Sequence, residues 1–231
     1  MSHVPWWMLK LYPDAQMLLV RSGVEQNPGP ANNGYLKISH VNINSITSPH
    51  RLDELSDFAD SSRTDILMIT VTTLDDTVHP SLYKLHNYHD PYIKNRSRHG
   101  GGVAVYFNSS LAAKRLPELE LGDTEWIWVL IKIKSETIIA CCTYIPPNSP
   151  QEKLNDFLDS LAESVALAQS FNPTLVLVAG DLNAGNNYLS VKYQNHSGIA
   201  LFDKQLNEAT SSLNLYNLLT NQQGQILTPP I

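Results

Sequence analysis

The run Leu175-Val-Leu-Val-Ala-Gly-Asp-Leu-Asn-Ala184 restricts the fold more than any other part of the chain. An apolar, β-branched run without alternation reads as a buried strand of a sheet covered on both faces. It delivers Asp181 and Asn183 at its carboxyl end, which is where open α/β sheets place their sites. Ahead of it, residues 149–167 read as an amphipathic helix with apolar residues at 154, 157, 158, 161 and 165. Ser149 and Glu152 have the spacing of a capping box, with Pro150 at the first helical position. Taken alone, Gly180-Asp181 is equally the signature of a strand-to-loop turn with an Asx cap. The rest of the chain decides between a turn and a site.

Strand-like and helical runs alternate after residue 35. Residues 36–43 alternate and predict a strand, 51–58 a helix, and 65–71 a buried strand. Residues 75–99 read as loop and 100–107 as the next strand; 126–133 and 137–143 predict a hairpin across Lys134-Ser-Glu136. Residues 207–219 suggest one more helix, and the chain ends at Leu227-Thr-Pro-Pro-Ile231 without a closing strand, so the domain is expected to be incomplete. Strands that occur both in hairpins and separated by helices predict an α/β sandwich of mixed sheets with helices outside.

Composition narrows the function classes. The 231 residues, 42% of them hydrophobic, supply the core of one large domain or two small ones. A net charge of −6 excludes the overall basic footprint of nonspecific nucleic-acid binders. Any such contact must come from a local patch, for which Lys94, Arg96, Arg98 and His99 are the candidates. Adjacent Cys141 and Cys142 cannot easily bridge each other and read as reduced core thiols, which implies an intracellular compartment. No apolar run is long enough to predict a transmembrane helix, so no membrane partner is expected. The eight histidines show no zinc spacing. Gly100-Gly-Gly102 precedes a strand with no Gly-Lys-Ser/Thr after it, which indicates close backbone packing rather than a phosphate loop.

Residues 1–30 differ in composition from the rest of the chain and read as a leader with a boundary near Pro30. Its ending, Val24-Glu-Gln-Asn-Pro-Gly-Pro30, resembles the ribosome-skipping (2A-type) peptides, in which the bond between the last Gly and Pro is never made; Gly23 stands where those peptides usually carry Asp. On that reading the working protein comprises residues 30–231.

Four polar signatures close the strands: Asn42-Ile-Asn44, Thr70-Val-Thr-Thr-Leu-Asp75, Tyr144-Ile-Pro-Pro-Asn148 and Gly180-Asp-Leu-Asn183. As an ordered set they resemble the endonuclease/exonuclease/phosphatase superfamily, which includes DNase-I-like and apurinic endonucleases. With Arg98-His-Gly-Gly-Gly-Val-Ala-Val105 they resemble more narrowly the endonuclease domain of non-LTR (LINE-type) retrotransposons. The resemblance implies a four-layer α/β sandwich of two mixed β-sheets, DNase-I-like, with its last strands missing here. It implies a metal-dependent phosphodiesterase that nicks target DNA, with DNA and a downstream reverse transcriptase domain as partners and the nucleus as the place of action.

The same resemblance assigns roles. Asp181 orients and deprotonates the attacking water, Asn183 donates to the phosphate without adding negative charge, and Tyr144 hydrogen-bonds a phosphate oxygen. Asn42 sits by the metal and helps hold Asp181, these two being the metal residues; Arg98, Asn148 and Asn44 contact substrate. Mg²⁺, or Mn²⁺, suits such an oxygen donor set. Two departures stand against full activity. The family's metal-binding Glu is replaced by Val71, which cannot coordinate a cation, and restoring the charge from Asp75 or Asp76 requires those residues to reach back. No Ser-Asp-His motif is present. The expectation is therefore an impaired nicking enzyme. The alternatives are a non-catalytic remnant that binds DNA or a partner, and a phosphatase of the same fold.

Overall fold

The computed structural model describes residues 16–21, 35–48, 50–77 and 79–183. The expected helix at 207–219 and the carboxyl-terminal end lie outside the described residues, as do the leader's Trp residues and its Asn-Pro-Gly-Pro run. Two βαβ units organise the rest. In the first, β2 (Tyr35–Asn42) passes through helix α1 (Arg51–Ser62) to β3 (Ile66–Thr70), which lies parallel to it. In the second, β8 (Glu136–Tyr144) passes through α2 (Gln151–Gln169) to β9 (Leu175–Asp181), again parallel. Antiparallel strands complete each sheet: β5 (Val103–Phe107) and β4 (Tyr92–Lys94) beside β3, and β7 (Glu125–Ile133) and β6 (Ala112–Arg115) beside β8. The first sheet also carries β1 (Gln16–Arg21), antiparallel to β2, so its order is β1-β2-β3-β5-β4; the second is β6-β7-β8-β9.

Three apolar clusters make four layers. Between the sheets lie Ile38, Met68, Val105, Ile127, Val129 and Ala140, all buried. Residues one position along each strand point outward and meet the helices: Val41, Ile69 and Tyr106 pack on Leu55 and Phe58 of α1, and Trp128, Ile139 and Cys141 on Phe157, Leu161 and Val165 of α2. The period-2 geometry of strands thus decides the fate of the paired cysteines. Cys141 faces α2 and Cys142 faces the other sheet; both are free and buried. The two-sheet sandwich expected from sequence is the observed architecture.

Several boundaries differ from the sequence reading. Helix α1 runs to Ser62, four residues past the expected end, and stops at Arg63 in the left-handed conformation. The capping box at α2 does not form: Ser149 Oγ donates to the Pro146 carbonyl at 2.8 Å, and the helix starts at Gln151 with no side-chain cap. Gly100–Gly102 precedes β5 instead of lying in it, all three at positive φ. The stretch 75–99 contains β4 and a 3₁₀ turn at Pro80–Tyr83. β1 lies within the segment read as a leader.

Candidate active site

Parallel pairing brings the carboxyl ends of the two βαβ units to one rim. Asn42 stands opposite Thr70 at the end of the first sheet, and Tyr144 opposite Asp181 at the end of the second. The sheets are joined there by a direct bond, Asn42 Nδ2 donating to Asp181 Oδ2 at 2.8 Å across 139 residues of sequence. Each partner is fixed by the same local device. Asn42 Oδ1 accepts the N–H of Asn44 at 3.1 Å, and Asp181 Oδ1 accepts the N–H of Asn183 at 3.1 Å. Asn44 and Asn183 both adopt φ of 46°, a conformation asparagine tolerates better than most residues. Asx-x-Asn thus ends β2 and β9 in one shape. Asn183 Nδ2 donates to the Ile145 carbonyl at 2.8 Å, which ties the turn to β8 and leaves its second amide hydrogen as the one available to a phosphate.

Tyr144 is 8% exposed and belongs to the inter-sheet cluster. Burial raises its phenol pKa, the carboxylates of Asp181 and Glu125 add to the rise, and Arg96 partly offsets it. The phenol therefore keeps its proton and acts as a donor. Beneath Asn42, His40 is buried beside the Thr70 hydroxyl at 3.2 Å, and burial pushes its pKa down to about 4, so it is a neutral core histidine.

One residue at the site, Glu125, was not singled out in the sequence, and its partner Arg96 was named only as part of a basic patch. Glu125, the first residue of β7, is the register partner of Tyr144, so Glu125, Tyr144 and Asp181 form one row across three strands. Its carboxylate accepts the Gly102 N–H at 2.5 Å and an Arg96 N–H at 3.1 Å. Burial raises its pKa, against the lowering by that backbone bond and by Arg96 and Lys94. The only sequence signal was Arg96 in the basic run; nothing marks Glu125 before its pairing is known.

Other expected positions fall elsewhere. Arg98 pairs with Asp75 and donates to the Thr77 hydroxyl at 2.9 Å. Asp75, whose pKa is lowered by the Thr77 hydroxyl and by Arg98, is thereby engaged, and Asp76 accepts from Asn95 at 3.1 Å. Neither acid reaches back to the end of β3. Asn148 is exposed at φ of 61° in the turn before α2, and Asn44 is exposed at the rim. Val71 packs against the inter-sheet apolar cluster at φ of 59°. Among the described residues no group of three His, Cys, Asp or Glu could hold a metal ion. With Asp181 bonded by Asn42 and the Asn183 N–H, Glu125 bonded by the Gly102 N–H and Arg96, and an apolar residue at the end of β3, the donor set does not fit a divalent cation.

A family profile described as the Endonuclease/Exonuclease/phosphatase family matches residues 40–214, well over half of the chain. The chain belongs to this family. Within the Endonuclease/Exonuclease/phosphatase family, the fold is similar to that of several solved structures. The endonuclease domain of TRAS1, a telomere-specific non-LTR retrotransposon, aligns with a TM-score of 0.54 at 14% identity over 77% of this chain and 70% of that one. An AP endonuclease from Archaeoglobus fulgidus aligns with a TM-score of 0.52 at 24% identity over 75% and 70%. A 3' phosphatase from Neisseria, solved with product DNA hairpin, aligns with a TM-score of 0.54 at 19% identity over 75% and 71%. No curated protein matches the chain. No helix among the described residues is long and apolar enough to cross a membrane.

Proposed function

We propose that this chain is a phosphodiesterase-type nuclease domain that acts on DNA, of the kind that nicks target DNA for a retrotransposon, and that position 71 impairs this copy. The observation that carries the reading is the Asn42–Asp181 hydrogen bond at 2.8 Å, which fixes one carboxylate at the rim where the two sheets meet. A carboxylate oriented through both oxygens, by Asn42 on Oδ2 and by the Asn183 N–H on Oδ1, meets a water in a defined direction. Asp181 takes a proton from that water as its oxygen bonds to phosphorus; the P–O bond to the leaving group breaks, and the leaving oxygen takes a proton from solvent. The Tyr144 O–H and the remaining amide hydrogen of Asn183 donate to the non-bridging oxygens, where charge accumulates. On this reading DNA and a downstream reverse transcriptase domain are the partners, inside the cell and at the nucleus. Because the donor set does not fit a divalent cation, no step is assigned to Mg²⁺ or Mn²⁺.

A second reading, a non-catalytic remnant that binds DNA or a partner, is favoured by Val71. Nicking of supercoiled plasmid by the 231-residue chain in the presence of Mg²⁺, beside Asp181→Ala and Val71→Glu, separates the two. Loss of a general base lowers rates about 10²- to 10⁴-fold, so nicking that vanishes in Asp181→Ala establishes the enzyme. Nicking by Val71→Glu alone identifies an enzyme disabled at that position, and silence from all three supports the remnant.

A further inference from the structure

Arg96 lies across a notch in the rim. A methyl built on Gly101, at φ of 77°, would come within 2.6 Å of Arg96 Cδ and 2.5 Å of a Glu125 carboxylate oxygen, so a side chain there would displace both. Glu125 is largely covered, with 15% of its side chain accessible, whereas Arg96 retains 45%. Its carboxylate is fixed by the Gly102 N–H and in turn holds Arg96 Nη1. The arrangement is a mount: an anchored anion inside the wall, and a cation whose outer edge faces solvent. It stands in the same cross-strand row as Tyr144 and Asp181, with strand neighbours about 4.8 Å apart. The Arg96 hydrogen bond found among the described residues is the one to Glu125, and it uses one of the guanidinium's five N–H donors.

We propose that Arg96 grips the substrate phosphodiester at this site and that Glu125 is its positioning residue. The inference rests on the nuclease reading above and adds the cation that reading lacks. A planar guanidinium matches two oxygens of one phosphate. Lys94, whose charge also reaches Glu125, offers a point charge without that fork. Arg98 is engaged by Asp75 and Thr77.

The test is fluorescence anisotropy of a labelled DNA duplex titrated with the full 231-residue chain over a salt series. The proteins are the unsubstituted chain, Arg96→Ala, Arg96→Lys, Glu125→Gln, the Arg96→Ala/Glu125→Gln double variant, and Lys132→Ala as a control near the far end of β7. Loss of one charged hydrogen-bonding contact should weaken binding about tenfold or more and flatten the slope of log K against log salt by about 0.9. Arg96→Lys should recover the slope but not the full affinity, which keeps the answer available if Arg96→Ala melts early by circular dichroism. Glu125→Gln should weaken binding in the unsubstituted background and have no effect in Arg96→Ala, because it acts through the arginine. Lys132→Ala should stay close to the unsubstituted chain. Arg96→Ala with unchanged affinity and slope overturns the proposal, as does an unsubstituted chain that binds no DNA. Hydrolysis of bis(p-nitrophenyl) phosphate is followed in parallel. Its absence from both the unsubstituted chain and Val71→Glu, with the Arg96 binding effects intact, sinks the nuclease reading and leaves the phosphate grip standing.

Discussion

Gly180→Ala tests whether β9 docks on β8 through the lack of a side chain. Gly180 has φ of 153°, and a methyl built there would lie 1.8 Å from the Thr143 carbonyl oxygen and 2.8 Å from its carbon. Those atoms are backbone of the neighbouring strand at the register partner of Gly180, so no rotamer change relieves the overlap. A carbon and a carbonyl oxygen approach comfortably to about 3.3 Å, which means the strands must part or slide by more than about 1 Å. The backbone conformation alone is worth about 1–3 kcal/mol for a residue with a side chain. Overpacking adds a further ~1–3 kcal/mol. The sum is about 2–6 kcal/mol against a total stability of about 5–15 kcal/mol. Gly100 supplies the control: its φ is 148°, nearly the same, but a methyl there meets nothing within 4 Å. Gly100→Ala should therefore show only the backbone part. The assay is urea unfolding followed by tryptophan fluorescence, which reports on buried Trp126 and Trp128. Equal losses in the two variants would refute the argument, as would a Gly180→Ala protein within about 0.5 kcal/mol of the unsubstituted chain, the scatter of neutral substitutions.

Asn42→Ala removes the donor on Asp181 Oδ2; with a charged hydrogen bond worth about 1.5–3 kcal/mol, kcat of the nicking-competent chain should fall by about tenfold to a hundredfold with KM little changed, and an unchanged kcat contradicts the role given to the bond. Glu125 has a folded pKa raised by burial, so its favourable contribution is complete below the unfolded value near 4.5 and is lost as pH rises through the raised one. The stability of Glu125→Gln relative to the parent should accordingly grow from pH 4 to pH 7 in urea titrations; a pH-independent gap would disprove it. Val71 is β-branched at φ of 59°, a conformation that costs about 1–2 kcal/mol. Val71→Gly should therefore lose less than about 1 kcal/mol, whereas Val105→Ala, in the buried inter-sheet layer, should lose about 2 kcal/mol; similar losses would show that Val71 is not strained.

Asp181 and Asn42 are legible in the sequence because one closes an apolar run and the other an alternating one, and a strand's last polar residues must emerge at its carboxyl end. The sandwich is legible for a related reason: apolar residues face both ways along β3 and β8, which demands cover on two sides. Arg96 is legible only as a member of a basic run; Glu125 and the pairing of the two are not, since the partnership spans 29 residues and depends on the glycine between them. Ala112–Arg115 carries no apolar alternation and is a strand because β7 supplies its partner. The capping box has the right letters at Ser149 and Glu152, but Pro146 offers a nearer acceptor for the serine. Arg98, expected to contact substrate, pairs with Asp75, a partnership across 23 residues that the sequence does not announce.

The edge strand β1 meets β2 through a six-residue ladder, from Gln16 opposite His40 to Arg21 opposite Tyr35. The Asn27-Pro-Gly-Pro30 run lies between the two strands in sequence. In an unbroken chain the tether holds β1 at an effective concentration on the order of millimolar. Were the Gly29–Pro30 bond never made, the same ladder would join two molecules, and its occupancy would follow mass action. Newly made protein would hold its edge strand in a crowded polysome and shed it on dilution. The completeness of the first sheet would then record how often the ribosome forms a single peptide bond.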